Sequence, residues 1–444
     1  MSYQLTPRTI LTIIFLSFAG EIAWAVENQY FNVFIYDIIS PNTLYVSLIV
    51  TFSAITATAT AITLGALSDK LGRRKVFFLI GFPMWALTTG IFPLTGYMRP
   101  IILAISMAIV FDCVMTFFGS MASDAALKAY SIDVTTIKNR GKINAVMQVT
   151  LLTATLVVYA GSGFIIESLG FYIFFYIIGG IVAIFGTIGA VLAPKIKINV
   201  SEEKYWNTLK STLSIRELRN NKDLFYVFIA TMLWSISFNV FFPYILIYLE
   251  HRVGLEYITA SIFMFVVILI AIIVAVPMGI VVDKIGRKKI AFIAIITEMV
   301  SLTLFGISEN IYVVAIFGAL VMIGMTVWDV AVKTWTKDLY PEEKRGQFSG
   351  YYIIFTVMVA MATGPFIGDS ITKNLGGVKL LHYMGNLVLE GIDSTTILGG
   401  VAGYIPPSWV FIIAGIMLIV VFIPVIFAKD TKELMKEKIN KEFT

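Results

Sequence analysis

The chain has almost none of what catalysis in water uses. Its 444 residues include two histidines, His251 and His382, and one cysteine, Cys113. No H-E-x-x-H, cysteine cluster, G-x-S-x-G or phosphate-cradling glycine loop occurs, so metal, nucleophilic and nucleotide chemistry lack their usual motifs. An enzyme is not expected, nor is a cofactor or a metal. A single cysteine can form no internal disulfide and leaves the redox compartment open. Charge is scarce as well: Asp, Glu, Lys and Arg make up 14% of the residues, against 58% hydrophobic residues and 34 Phe. A water-soluble fold of that composition has nowhere to hide its apolar surface, so the expected solvent is lipid.

Crossing a hydrocarbon core of about 30 Å at about 1.5 Å per residue takes about 20 apolar residues. Twelve such runs can be read off the sequence, the first over 9–36 and the last over 408–428. The first run carries Glu21 and Glu27 and lacks a small-residue cleavage site, which reads as a retained helix rather than a signal peptide. Of the 33 Lys and Arg, all but Arg99, Arg252, Lys373 and Lys379 fall on one alternating set of loops and the two termini. The positive-inside rule places that set, and both termini, in the cytosol. The net charge of +5 then describes loops facing an anionic leaflet and gives no reason to expect nucleic-acid binding.

Two motifs each occur twice, in the same order. Gly65-x3-Asp69-x2-Gly72-Arg73-Arg74-Lys75 returns as Gly279-x3-Asp283-x2-Gly286-Arg287-Lys288-Lys289. Asp124-x3-Lys128-x4-Asp133-x6-Arg140-Gly141 returns as Asp329-x3-Lys333-x4-Asp338-x6-Arg345-Gly346. Ionic positions that repeat at a fixed offset within apolar sequence mark a tandem duplication. The expected organisation is a six-helix half over 1–193, a cytoplasmic linker over 194–222, a second half over 223–428 and a cytoplasmic tail over 429–444. The expected fold is all-α and integral to the membrane, with twelve transmembrane helices in two parallel repeats.

These residues resemble the major facilitator superfamily, whose members carry G-x3-D-x2-G-R-[RK]-K between helices 2 and 3 and again between helices 8 and 9. The segments Trp24-Ala25-Val26-Glu27-Asn28-Gln29 and Asp338 to Gly346 are similar to sucrose-type and glycoside–pentoside–hexuronide cation symporters. One departure stands out: some glycoside symporters bind their cation with acidic residues of helix 2, and here none lies between Leu44 and Leu67. The resemblance implies secondary active transport of a small polar solute by alternating access, with a proton or Na+ as coupling cation and a monomer in the plasma membrane. A drug or metabolite proton antiporter is the alternative, and a non-transporting membrane sensor is a rival of another class. Exporters of the antiporter kind usually carry a Gly-Pro signature in helix 5, where this chain has Gly161-Ser162-Gly163 without proline.

The duplicated motifs read as a cytoplasmic gate. Gly65 and Gly279 permit close approach of a neighbouring helix. Asp69 and Asp283 lie beside the cations at Arg73 and Arg287, within reach of a partner such as Arg140 or Arg345. Asp124 with Lys128 and Asp329 with Lys333 are i,i+4 pairs, while Asp133 and Asp338 stand at the same repeated spacing before Arg140 and Arg345. These charges are symmetric between the halves, whereas a substrate is not. The asymmetric residues are therefore the candidates for specific chemistry. At the repeat offset Asp112 aligns with Phe317, Glu21 with Phe228 and Glu27 with Trp234. A carboxylate deep in an apolar run costs several kcal/mol unless it is protonated, paired or wet. At about 100° per residue, Glu21, Trp24, Asn28 and Asn32 share one side of the first helix, and Glu27 points about 120° away from Glu21. By the resemblance, helices 1, 4, 7 and 10 line a central cavity. This puts Glu21, Trp24, Asn28, Asn32, Asn239 and Trp328 at the substrate, and Asp112 and Glu27 at the coupling cation. Carboxylate, amide and indole side by side suit a sugar, offering acceptors, donors and an apolar face.

A fluorescent protein fused to either terminus is expected to report a cytosolic location in intact cells; finding either end outside would overturn the orientation read from the Lys and Arg distribution.

Overall fold

A computed structural model of the chain describes residues 6–135, 139–194, 218, 221–308, 310–340, 345–375, 378–380 and 403–430. Most of the expected linker, of the tail and of the loop over 373–407 falls outside these residues. Among the described residues, eleven helical segments are long and apolar enough to cross a bilayer. They are α1 Pro7–Ile39, α2 Thr43–Leu71, α3 Arg74–Tyr97 and α4 Ile101–Asp133, then Arg140–Leu192. The remainder are α7 Lys222–His251, α8 Tyr257–Ile285, α9 Arg287–Ile307, α10 Ile311–Leu339, α11 over 345–374 and α12 Trp409–Phe427. The Arg140–Leu192 segment bends at Gly170, where φ is 81° and ψ 166°, dividing it into α5 (140–169) and α6 (171–192). That backbone conformation lies in the region open to glycine alone, so one residue turns the chain without a loop. Among the described residues the count of such helices is thus twelve, the number of apolar runs.

Local signals set the ends. Thr6 caps α1 by accepting the Thr9 N–H at 3.2 Å, with Pro7 in the first turn where no N–H is needed. Asn42 and Asn310 cap α2 and α10 through the Leu44 and Tyr312 N–H groups at 3.1 and 2.9 Å. Three of the described helices carry π turns inside the membrane. π turns occupy Glu27–Phe31 and Ile35–Ile39 in α1, Ser120–Leu127 in α4 and Ile354–Val359 in α11. A π turn widens the helix by one residue and re-aims every side chain after it, a device concentrated at functional sites.

The chain divides into two compact units. The first comprises Met1–Lys210, Leu246–Ile262 and Val378–Ile405; the second comprises Ser211–Ile245, Phe263–Gly377 and Pro406–Thr444. In the first, α1 packs on the α5–α6 segment and α3 on α4. Glycines bring backbones close to bulky rings: a Cβ at Gly119 would lie 2.7 Å from Trp85, and one at Gly186 would lie 2.6 Å from Phe82. A two-stranded antiparallel sheet, β1 Val378–Leu380 with β2 Gly403–Ile405, belongs to this unit. It is tied to the end of α1 by the Tyr404 N–H on the Pro41 carbonyl at 3.1 Å and the Tyr36 hydroxyl on the Tyr404 carbonyl at 2.9 Å. In the second unit, α9 packs on α10 and α12, and α7 on α11 and α12.

The two copies of the first motif fold differently by one residue. In the first unit α2 ends at Leu71, Gly72 closes it in the left-handed region (φ 61°, ψ 21°), and α3 begins only at Arg74. In the second, α8 ends at Ile285, Gly286 adopts φ 114° and ψ 149°, and α9 begins at once with Arg287. Every basic side chain after the glycine is therefore displaced by one position between the copies. Gly65 and Gly279 bring no neighbour close in this structure, since a Cβ on either meets nothing within 4 Å.

These environments separate two glycine substitutions. Gly286→Ala places a Cβ 2.7 Å from an Asp430 carboxylate oxygen at a positive φ, and is expected to cost about 1–3 kcal/mol. Gly65→Ala adds a methyl to open space in a helix interior and is expected to leave stability unchanged or raise it by up to about 1 kcal/mol. Thermal unfolding of the purified chain in detergent checks both, and a larger loss at 65 than at 286 would contradict the assignment.

Candidate functional site

The basic ends of the helices hold the duplicated motifs. In the first unit the guanidinium at the centre belongs to Arg74, not to Arg73 as the motif suggests. Arg74 is buried, and donates to Asp69 at 2.5 Å, to Ser68 at 2.6 Å and to Asp133 at 3.0 Å. Arg73 is exposed. The neighbouring Lys75 ammonium caps the end of α6 on the carbonyls of Val191 and Ala193 at 2.7 and 2.8 Å. In the second unit Arg287 pairs with Asp338 at 3.1 Å, and Lys288 caps the end of α12 on the carbonyls of Ile426 and Ala428, both at 2.8 Å. Lys289 is the exposed one. Two tasks, pairing an aspartate and capping a neighbouring helix, recur in both units with each side chain shifted by one, as the loop geometry requires. The side chains of Arg140, Asp283 and Arg345 lie outside the described residues. Lys128 with Asp124 and Lys333 with Asp329 pair at 2.8 and 2.7 Å. The two lysines are more than half exposed, which limits each pair to about 1 kcal/mol or less.

Deep in the first unit, Glu27, Ser53 and Thr116 meet from α1, α2 and α4. The Ser53 and Thr116 hydroxyls lie 2.6 and 2.9 Å from the same Glu27 oxygen, Oε1, and 2.9 Å from each other. Asp112, one turn before Thr116, is within electrostatic reach of Glu27 and faces the Ser53 hydroxyl, already engaged by Glu27. Glu27 Oε2 and both Asp112 oxygens are buried without a hydrogen-bond donor among the described residues. Glu27 opens the first π turn of α1, so its aim departs from the projection of a regular helix. This cluster brings together the two residues expected at a coupling cation. It adds Ser53 and Thr116, of which Ser53 was not signalled by the sequence because helix 2 carries no charge there. Two carboxylates and two hydroxyls form an all-oxygen set of the hard-cation kind. Buried together, the two carboxylates repel one another unless a proton or a metal cation lies between them.

Among the residues expected at the substrate, Glu21, Trp24, Asn28 and Asn32 lie along α1 in the first unit. Asn28 is exposed and Asn32 buried; their amide nitrogens donate back to the Trp24 and Asn28 carbonyls at 2.8 and 2.9 Å. Each side-chain amide keeps its oxygen as an acceptor. Trp24 leans on Trp85 with ring centroids 4.9 Å apart. In the second unit the Asn239 amide donates to the Ser235 carbonyl at 2.8 Å. Trp328 stacks on Trp234, and Trp234 on Phe238, at 5.6 and 5.7 Å. The Trp234 indole N–H donates at 2.7 Å to Glu298, a fully buried carboxylate of α9. Glu298 thereby fixes the plane of an aromatic wall. A separate cavity in the second unit, between Phe241, Phe263, Phe305, Met322 and Phe411, has an entirely apolar lining and suits no polar solute.

Comparison with known proteins gives one family. The model of the Major Facilitator Superfamily matches residues 10–365 and again 227–443. No curated protein sequence matches the chain. Among solved structures, a nucleoside transporter, NupG, shares 14% identity at a TM-score of 0.68, covering 94% of this chain and 98% of its own. A D-xylose–proton symporter shares 15% at 0.65, covering 96% and 98%. A bacterial homolog of the human lysosomal transporter Spinster shares 12% at 0.70, covering 98% and 99%. At such identities the likeness is one of fold.

The register shift has a direct test. Arg74→Ala removes the only guanidinium between Asp69 and Asp133 in the described cluster and is expected to cost about 1–3 kcal/mol, discounted for the partial exposure of both partners. Arg73→Ala is expected to change stability by no more than about 0.5 kcal/mol. Detergent unfolding midpoints compare the two, and equal losses would refute the one-residue assignment.

Proposed function

The chain belongs to the Major Facilitator Superfamily, and we propose that it takes up a small polar solute of the sugar or glycoside class in symport with a proton or Na+. Membership makes it a multi-pass membrane transporter and not an enzyme. The observation that carries the symport reading is the Glu27–Asp112 pair. Two carboxylates buried 7% and 1% exposed, with three oxygens lacking a donor among the described residues, form a site whose charge state must change when a cation arrives or leaves. Ser53 and Thr116 supply two further oxygens. A proton would be shared by the two carboxylates; Na+ would be held by all four groups. Arrival of the cation from outside relieves the repulsion and favours the conformation that binds solute, and its release inside restores the starting state.

The solute assignment rests on the exposed amide of Asn28 beside Trp24, and on Asn239 and the Trp234–Trp328 wall, together with Glu21 and Asn32. It is also supported by fold likeness to a D-xylose–proton symporter and a nucleoside transporter. The sucrose-type segments around Glu27 and Asp338 support the glycoside–pentoside–hexuronide cation symporters as the branch. The wealth of Lys and Arg on one set of loops supports a cytosolic location for both termini, and the reading includes a monomer in the plasma membrane. Arg74–Asp133 and Arg287–Asp338 then stand at the cytoplasmic edge as the gate.

Reconstituted into liposomes, Asp112→Asn and Glu27→Gln are each expected to abolish gradient-driven accumulation while solute exchange persists. Glu21→Gln is expected to weaken solute binding itself. Accumulation by both Asp112→Asn and Glu27→Gln equal to the parent's would refute the coupling site, and solute efflux driven by an inward proton gradient would establish an antiporter instead.

A further inference from the structure

We propose that Asp37, Glu250 and His251 form a binding site for a divalent transition metal ion of the Zn2+ class, separate from the coupling cluster. All three belong to the first unit, at the end of α1 opposite its basic N-terminus and at the end of α7. His251 Nε2 lies 2.8 Å from Asp37 Oδ1 and 3.9 Å from Glu250 Oε2, and one ligand atom from each residue falls within 4.8 Å of the others. Around a tetrahedral ion with bonds of about 2.0–2.2 Å, ligand atoms stand about 3.3–3.5 Å apart, so the observed separations bracket a coordination shell. The set needs small adjustments and no refolding.

Charge and chemistry favour a metal over a simple ion pair. The side chains of Asp37, His251 and Glu250 are 5%, 4% and 13% exposed. Among the described residues neither carboxylate is paired with Lys or Arg. Two ionised carboxylates this close need more positive charge than one imidazole can bring, so without an ion one of them must take a proton; a divalent ion balances both and takes the imidazole as a neutral ligand. One imidazole among the donors points to Zn2+ and its neighbours rather than to Mg2+ or Ca2+, which prefer oxygen alone. The surroundings also hold the donors in place, as outer groups do at built metal sites. The Tyr257 hydroxyl donates to Asp37 Oδ2 at 2.7 Å, which leaves Oδ1 for the ion. The His251 ring packs against Tyr36 at 5.2 Å, and Tyr36 is itself tethered to Tyr404. Partial exposure of Glu250 leaves room for a water as fourth ligand. The ligands come from positions 214 residues apart, which is why no spacing motif announces them.

The test uses the purified full-length protein, stripped with chelator and titrated with Zn2+ by calorimetry, with Mg2+ as the control ion. Zn2+ is expected to bind one to one and raise the unfolding midpoint, and Co2+ in its place is expected to show the visible absorption of a four-coordinate site. His251→Ala and Asp37→Asn are expected to abolish binding. Glu250→Gln, the gentlest change and the variant to rely on if the others fail to fold, is expected to weaken it at least about tenfold. Glu256→Gln, an exposed carboxylate nearby, is expected to bind as the parent does. No Zn2+ binding above the Mg2+ control, or parental affinity in Glu250→Gln, would overturn the proposal.

Discussion

A carboxylate shut away from water has to be answered by positive charge or by a proton, and in a bilayer no solvent can supply either on demand. This chain keeps charge to a minimum and places most of it at the helix ends, where Arg74, Arg287, Lys75 and Lys288 each meet an oxygen of their own unit. Among the described residues, three settings of carboxylates inside stand out. Glu298 is answered on one side by an indole N–H and serves to orient Trp234. Asp37 is answered by an imidazole and a phenol. Glu27 is answered only by hydroxyls and Asp112 by no hydrogen-bond donor among the described residues, and it is there that a mobile cation has most to contribute.

Much of this was legible from the sequence, because it depends on amount and period. The apolar runs give the helices, the duplicated ionic positions give the repeat, and Asp112 and Glu27 stand out for lacking counterparts in the second half. The resemblance carried the family. What could not be read depends on where the backbone departs from a regular helix. A wheel drawn at 100° per residue cannot say what Glu27 meets, since a π turn opens at that residue. Ser53 carried no signal, being one hydroxyl among many on a helix rich in Ser and Thr. Arg73 looked like the gate cation because it aligns with Arg287, and only the backbone at Gly72 and Gly286 shows that the two do different work. The meeting of Asp37 with His251 belongs to tertiary structure alone.

The π turns inside α1, α4 and α11 follow from the solvent. A transmembrane helix satisfies its own backbone, so any break in it exposes polar groups to lipid unless the break is small. A one-residue widening is among the smallest breaks available. It lets the chain redirect side chains without opening a loop inside the membrane.

The three adjacent bases after each motif glycine can be viewed as a form of error tolerance. Between two such copies the start of the helix after the glycine can slip by one residue, as it has here. Were the site served by one cation, such a slip would leave an aspartate stranded and a helix end uncapped. With three in a row, the reading frame moves and the next cation steps into place, leaving one spare at the front in the first copy and one at the back in the second. The motif thus preserves an occupancy rather than a position, and two copies that align letter for letter can still assign the same job to different letters.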